Sequence, residues 1–331
     1  METKNYENGI NVLSLFDGCA AAYLALQKAG FKINNYYSSE IDKHCLAVQN
    51  HHYKGNSNFH QIGDVRNVNG TDYLDVDLII FGSPCTQLSS VNPKDRTGLD
   101  GPDSSLFYDA LRILKGVYAF QLSSKKLYFL MENVASMTSK DRDKITEELK
   151  EIFPELQVLK IDSAIIAPAH RRRLYWTNIP NVTIPQPCGK SYQEILVNGF
   201  VDRDKANVLL SSDVTQTNGI TRYFNMNIGN IIFKHKDFAE LPIAEKLHRY
   251  PAILKESGYN SKKGFNTSEY DFVNGCYRLP SALERERMMT IPDGYVSCVP
   301  NIPKSEQKKI LGLSFTVDVI AHFLGFLKGN R

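Results

Sequence analysis

The sequence predicts an α/β fold: a doubly wound, mostly parallel sheet with a smaller domain set into it. Three observations carry that prediction. Short apolar runs at residues 11–16, 78–81 and 127–131 alternate with helix-length amphipathic patterns, the signature of strand–helix–strand units. Glycine or acidic residues stand directly behind several strand runs, where open α/β sheets hold their ligands. The alternation lapses over residues 181–277 and returns in a last helical pattern with Val317, Ile320, Ala321, Leu324 and Leu327 on one face. A chain of 331 residues, 42% of them hydrophobic, can bury a full core and suits one large domain plus a smaller one.

The first unit is a strand at 11–16, a turn Asp17-Gly18-Cys19-Ala20 and a helix at 21–29, with Gly30 as its C-cap. Dinucleotides and S-adenosylmethionine both bind such units. A dinucleotide site needs three glycines so that backbone can approach a pyrophosphate, and only Gly18 is present, which favours a cofactor without phosphates. An ordinary βα turn is the bland alternative. The next strand, 35–39, ends at Glu40, placed to accept the two ribose hydroxyls. The strand at 59–63 ends at Asp64, suited to accept from an adenine amine. Three successive strand ends thus compose a nucleoside site.

The strand at 78–81 is broken by Gly82, Ser83 and Pro84, because proline cannot continue a central ladder. Cys85 therefore falls just past its carboxyl end. A lone cysteine is by default a small buried hydrophobe, but one on a rigid Pro-Cys turn suits a nucleophile. Residues 91–103 read as a long loop, and Ser104 as the N-cap of a helix through Leu106, Leu111, Ile113, Leu114 and Val117. The strand at 127–131 brings Glu132 to the same sheet edge as Cys85. A helix at 141–153 and a strand at 157–161 follow. If the strand starting near Leu174 runs antiparallel, Arg173 comes towards Cys85 and Glu132. Alternation along the extended chain turns Arg171 and Arg173 to one side and Arg172 to the other.

The segments FDGCAAAYLAL, GSPCTQLSSVNP, MENVASM, AHRRRLYWTN, RLPSALERERMMTIPDGY and LGLSFTVDVIAHFL, in this order, resemble the motifs of DNA (cytosine-5) methyltransferases. The resemblance covers residues 1–180 and 278–331, and its details look closest to the catalytic domains of animal de novo methyltransferases. It implies a Rossmann-like methyltransferase fold. Residues 1–180, completed by 278–331, would form the catalytic domain, and 181–277 the target-recognition region. It also implies methyl transfer from S-adenosylmethionine, leaving S-adenosylhomocysteine, to carbon 5 of a flipped-out cytosine in double-stranded DNA through a covalent Cys85 adduct. In that chemistry Glu132 binds the ring nitrogen and amine, Arg173 the carbonyl oxygen, and Arg171 orders the Cys85 loop. The implied cofactor residues are Phe16, Asp17, Gly18, Glu40, Ile41, Asp64, Val65, Gly82, Pro84, Ser314 and Phe315. The implied DNA contacts are Ser89, Lys94, Arg96, Thr217 and Arg222. Three positions depart from the usual pattern: Ala20 and Thr290 replace common glycines, and Leu313 replaces a common asparagine.

Other classes fit less well. A silent regulatory homologue should have lost Cys85, Glu132 or the cofactor acids, and all are present. The RNA-directed branch of the family carries a Cys-Phe-Thr segment absent here. Zinc-dependent deamination needs a PCxxC segment, which Thr86-Gln87-Leu88 breaks. The six cysteines form no CxxC pair and no metal spacing, so reduced thiols and no metal are expected. Residues 1–11 carry no apolar run, and no stretch approaches the length of a membrane span, so no leader and no membrane are expected. The expected location is the cytoplasm of a bacterial or phage-infected cell, or the nucleus of a eukaryote. A net charge of +3 marks no basic tract, so a nucleic-acid surface must be assembled in space. Oligomeric state has no signal in the sequence.

Overall fold

The computed structural model describes residues 6–84, 98–101, 105–121, 125–210, 223–224, 226–246, 248–249, 269–272 and 277–328. They divide into two compact units: residues 1–162, 172–185 and 317–331 form the first, and 163–171 with 186–316 the second.

The first unit is built on seven strands: β1 (Ile10–Leu15), β2 (Ile33–Ser39), β3 (Phe59–Gln61), β4 (Leu78–Phe81), β5 (Tyr128–Val134), β6 (Gln157–Asp162) and β7 (Arg172–Thr177). Their order is β3-β2-β1-β4-β5-β7-β6. Strands β1 to β5 pair in parallel, whereas β7 is antiparallel to both β5 and β6. The condition placed on Arg173 is therefore met. Every residue of β4 and β5 is buried, as a parallel sheet covered on both faces requires.

Helices α1 (Ala21–Lys28), α2 (Lys43–Tyr53), α3 (Leu106–Phe120), α4 (Ser139–Lys150) and, at the end of the chain, α8 (Val317–Leu327) supply that cover. On one face Leu13, Leu15, Ile79, Phe81, Phe129, Met131 and Trp176 share a core with Phe107, Ile113 and Leu114 of α3 and Ile145 and Leu149 of α4. On the other, Tyr23 of α1 stands edge-on to Tyr36 of β2, and Phe323 of α8 lies 4.9 Å from Tyr175 of β7. The final helix thus closes a sheet that the first strand began. Strand order reverses between β1 and β4, so a crevice opens beyond their carboxyl ends.

Several boundaries differ from the sequence reading. Strand β5 continues through Glu132 to Val134 because β7 pairs with it to the end, Val134 opposite Arg173. Its parallel partner β4 stops at Phe81, opposite Met131, so Glu132 still lies beyond the β4 tip. Helix α2 was not anticipated, although Asp42 caps it by accepting from the His44 and Cys45 amides. Helix α3 starts behind Ser105, and the expected cap Ser104 lies outside the described residues. Helix α4 starts two residues earlier than expected, because Thr138 accepts from the Asp141 amide, and it ends at Lys150.

The second unit holds a two-stranded ladder of β8 (Ile232–Phe233) and β9 (Tyr277–Arg278), with α5 (Lys236–Glu240), α6 (Ala282–Met288) and α7 (Lys304–Leu313). Tyr223, Phe224, Ile231, Phe233, Ala239 and Tyr277 form its small core. Buried Arg278 pairs with buried Glu284 at 2.6 Å, and buried Lys246 with Asp202 at 3.1 Å. Residues 278–316, expected with the catalytic part, lie in this unit. Glu284 accepts the Val197 amide, and Arg287 donates to the Ile195 carbonyl.

The segment Lys304–Leu327 corrects one expectation: by length and composition it meets the test for a membrane-crossing helix. It is interrupted at Ser314, whose backbone is extended (φ −67°, ψ 162°), and 72% of its apolar window is buried in the protein. Burial of this kind marks the core helices of a folded domain.

Candidate functional site

The crevice begins where β1 ends. The turn Phe16–Ala20 holds three residues in the left-handed region: Phe16 (φ 55°), Gly18 (φ 59°) and Ala20 (φ 64°). A bulky aromatic there is a true backbone outlier, and such strain collects at ligand sites. A Cβ added to Gly18 would meet no atom within 4 Å, so the glycine faces open space. Its amide donates to Glu40 Oε2 at 2.7 Å, which joins the ends of β1 and β2. Glu40 Oε1 also accepts from the Ile41 and Asp42 amides at 2.8 and 2.7 Å. Ile41 is 64% exposed beside it, an apolar surface with no cover of its own. A bare glycine, a held carboxylate and an uncovered isoleucine fit a nucleoside cofactor.

The other expected cofactor residues divide. Asp17 turns inward: its carboxylate accepts from the hydroxyls of Ser14, Tyr36 and Ser38 at 2.6–2.7 Å and from Gln49 at 3.3 Å. Burial pushes its carboxyl up to about 6, against the opposing pull of those three hydroxyls. That leaves a ligand only its backbone, where the N–H already donates to the Ser39 carbonyl and the carbonyl accepts from the Ala20 amide, both at 3.1 Å. Strand β3 stops at Gln61, short of the expected end, so Asp64 lies three residues beyond it as the cap of the turn Val65–Asn67. Arg66 grips Asp64, with Nε 3.0 Å from both carboxylate oxygens. That hydrogen-bonded pair holds the half-buried Asp64 carboxyl below its ordinary range. Val65 buries its side chain in the first unit's core.

The chemistry expected of β4, β5 and β7 meets at one sheet edge. Half-buried Gly82 and Pro84 flank buried Ser83, whose hydroxyl accepts from Asn133 Nδ2 at 3.1 Å. Asn133 thereby ties the tip that leads to Cys85 onto the strand that carries Glu132. Arg173 Nε lies 2.8 Å from Glu132 Oε1, with only 14% and 10% of the two side chains exposed. Arg172 points the other way, 71% exposed, and pairs with Asp162 at 3.1 Å. The alternation read along this strand is what orients the two arginines oppositely.

Arg171, Ser314 and Phe315 belong to the second unit and are buried there. Arg171 donates to the Gly312 carbonyl at 3.1 Å. Leu313, between them in sequence, is 60% exposed. Cys85, Ser89, Lys94, Arg96, Thr217 and Arg222 lie outside the described residues. Among the described residues no three His, Cys, Asp or Glu side chains gather as a metal site. Sequence reasoning missed Ser83, Arg66 and Gln49. Only Ser83 had a signal, its place between Gly82 and Pro84.

A family model described as C-5 cytosine-specific DNA methylase matches residues 10–328. Type II methyltransferase M.NgoBI of Neisseria gonorrhoeae is 27% identical, over 93% of this chain and 90% of its own length. Type II methyltransferase M.HaeII of Haemophilus aegyptius is 28% identical, over 95% and 91%. Among solved structures, the S. pombe Dnmt2 methyltransferase superposes with a TM-score of 0.66, covering 96% of this chain and 98% of its own at 16% identity. That last likeness is one of fold.

Proposed function

This chain belongs to the C-5 cytosine-specific DNA methylase family, and we propose that Cys85, Glu132 and Arg173 carry out the family's reaction. It transfers a methyl group to carbon 5 of cytosine in DNA, and family and fold imply that S-adenosylmethionine supplies that group when bound. The residues that would hold the cofactor are the strained Phe16 turn, Gly18, Glu40, Ile41 and Asp64, with the backbone of Asp17 and Val65.

Carbon 5 of cytosine is a poor nucleophile until the ring's aromaticity is disturbed. The Cys85 thiolate adds to carbon 6, and the electron pair displaced from the double bond gives carbon 5 carbanion character. Glu132 supplies a proton to the ring nitrogen as the thiolate adds. Arg173 binds the carbonyl oxygen of the same ring and holds Glu132 in place. After methylation a base removes the carbon 5 proton, the double bond re-forms, the Cys85 thiolate leaves, and the ring nitrogen returns its proton to Glu132. The target must be flipped out of the duplex for any of these contacts to form.

The observation that carries this reading is the Glu132–Arg173 pair, a carboxyl and a guanidinium held 2.8 Å apart at the strand end beyond β4. A carboxylic acid and a guanidinium so placed match the acceptor-rich edge of cytosine. Residues 181–277 would carry target recognition, with Thr217 and Arg222 reading bases and Ser89, Lys94 and Arg96 touching the strand. Such an enzyme works where DNA is, in the cytoplasm of a bacterium or infected cell or in a nucleus.

Double-stranded DNA carrying 5-fluorocytosine tests the mechanism, because fluorine cannot leave as a proton does. With S-adenosylmethionine present, the protein should form an adduct that survives denaturation, maps to Cys85 and vanishes in Cys85→Ser. Glu132→Gln should form it slowly, since it keeps a hydrogen bond but loses the proton. A protein that methylates DNA yet gives no adduct, or one whose adduct maps to Cys19 or Cys45, overturns the assignment.

A further inference from the structure

We propose that Gln49 is a positioning residue for the cofactor site, acting on the ligand through Gly18 and Glu40. This rests on the reading of the crevice as the seat of S-adenosylmethionine. Gln49 lies on the buried face of α2 with Cys45 and Val48 and is fully inaccessible to solvent. An apolar side chain would fill that position at lower cost, because a buried amide is unfavourable unless its donors and acceptor are used. Here they are used. Nε2 donates to the Gly18 carbonyl at 2.8 Å and to Asp17 Oδ2 at 3.3 Å, and Oε1 accepts from Gln61 Nε2 at 3.0 Å.

The consequence falls on a single residue. Gly18 sits at φ 59° with its N–H on Glu40 and its C=O on Gln49, so both its polar groups are clamped. One clamp is the acid that would receive the ribose hydroxyls. Release of the other frees the Gly18 carbonyl, lets the glycine leave the left-handed region, and takes its N–H off Glu40. Gln49 thus acts through Gly18 on Glu40 Oε2, while Oε1 stays on the Ile41 and Asp42 amides, and it touches neither cofactor nor cytosine.

Two substitutions separate this role from simple packing. Gln49→Leu keeps the volume and removes the clamp. S-adenosylmethionine should bind about 5- to 30-fold more weakly by calorimetry, the loss expected for one or two buried hydrogen bonds. At saturating cofactor, kcat and the KM for DNA should stay within about twofold of wild type, a split typical of lost ground-state binding. Gln49→Glu keeps size and polarity, but its carboxylate faces the Gly18 carbonyl and Asp17, with Glu40, Asp42, Tyr36, Cys19 and Cys45 the other titratable groups around that turn. Its affinity for S-adenosylmethionine should recover as pH falls, because the protonated acid can donate as the amide does, and wild type should show no such recovery. If neither variant folds, Gln61→Leu on the exposed strand removes the outer partner alone and should weaken binding about 2- to 5-fold.

Wild-type affinity in Gln49→Leu or Gln61→Leu, a Gln49→Glu variant indistinguishable from wild type at every pH, or a joint fall of kcat and both affinities overturns the role. A wild-type protein that binds no S-adenosylmethionine overturns the reading of the crevice, and this role with it.

Discussion

Two glycine-to-larger departures have a physical meaning that only the backbone discloses. Ala20 sits at φ 64° and Thr290 at φ 55°, both in the left-handed region that disfavours a Cβ, and a β-branched threonine most of all. The sequence marked both positions as usual glycines and could not say what they cost. Ala20→Gly and Thr290→Gly should each stabilise the protein by about 1 kcal/mol, with Thr290→Gly gaining more, as read by urea unfolding. A loss of stability in Thr290→Gly would mean that the Thr290 hydroxyl, which donates to the Met289 carbonyl at 2.7 Å, outweighs the strain. Asp17 makes the opposite point. The motif placed it among the cofactor residues, yet its carboxylate lies inside, where burial raises it from 3.8 to about 6. A folded-state value above the unfolded one means that stability is full below about pH 4 and falls as pH rises to about 6. The loss is about 3 kcal/mol in all and does not grow at higher pH. Asp17→Asn should flatten the profile between those limits, which unfolding curves taken at half-unit pH steps will reveal. An identical slope in both proteins would assign the titration to another group.

At the scale of elements, the strands were legible because a parallel sheet writes itself as short apolar runs. Helix α2 was not, because its buried face is only Cys45, Val48 and Gln49, too polar a stripe to stand out. The antiparallel turn of β7 could be posed from the sequence only as a condition. What fixes it is pairing on both sides: Glu132 opposite Tyr175 on β5, and Leu159 opposite the same tyrosine on β6. The link between strand ends was equally hidden. Asn133 reaches Ser83 across the β4–β5 edge, and nothing in the spacing of MENV and GSPC says so. Asn133→Leu should leave β5 intact, release the tip that leads to Cys85, and slow single-turnover methylation about tenfold or more, as small misplacements of reacting groups do. S-adenosylmethionine affinity should fall by less than the rate does, since Gly18 and Glu40 take no part in the link and only Gly82 and Pro84 flank it. A rate like that of wild type would reduce Asn133 to a packing residue.

For the whole molecule, the proposed cofactor residues at positions 16–84 lie in the first unit, as do Glu132 and Arg173, whereas Ser314 and Phe315 lie in the second. The second unit has a small aromatic core and leans on buried charge. Arg278 gives Glu284 two hydrogen bonds of 2.6 and 2.7 Å, and Glu284 also closes a capping box with Ser281 and accepts the Val197 amide. Burial would raise the Glu284 carboxyl, and Arg278 overrides it, holding it below the usual carboxylate range. In the sequence, RLPSALERERM stands out only as part of a family motif. It does not show that two of these charges face each other away from water. Removing one partner leaves the other charge buried and unpaired, which costs about 3–5 kcal/mol. Glu284→Ala should therefore undo the second unit and abolish DNA binding and methylation, measured by gel shift and methyl incorporation. S-adenosylmethionine should still bind measurably by calorimetry, weakened only by the loss of Ser314 and Phe315, because Gly18, Glu40 and Gln49 are held by hydrogen bonds within the first unit. If cofactor affinity collapses together with DNA binding, the two units fold as one cooperative body, and the division of labour drawn from their residues fails.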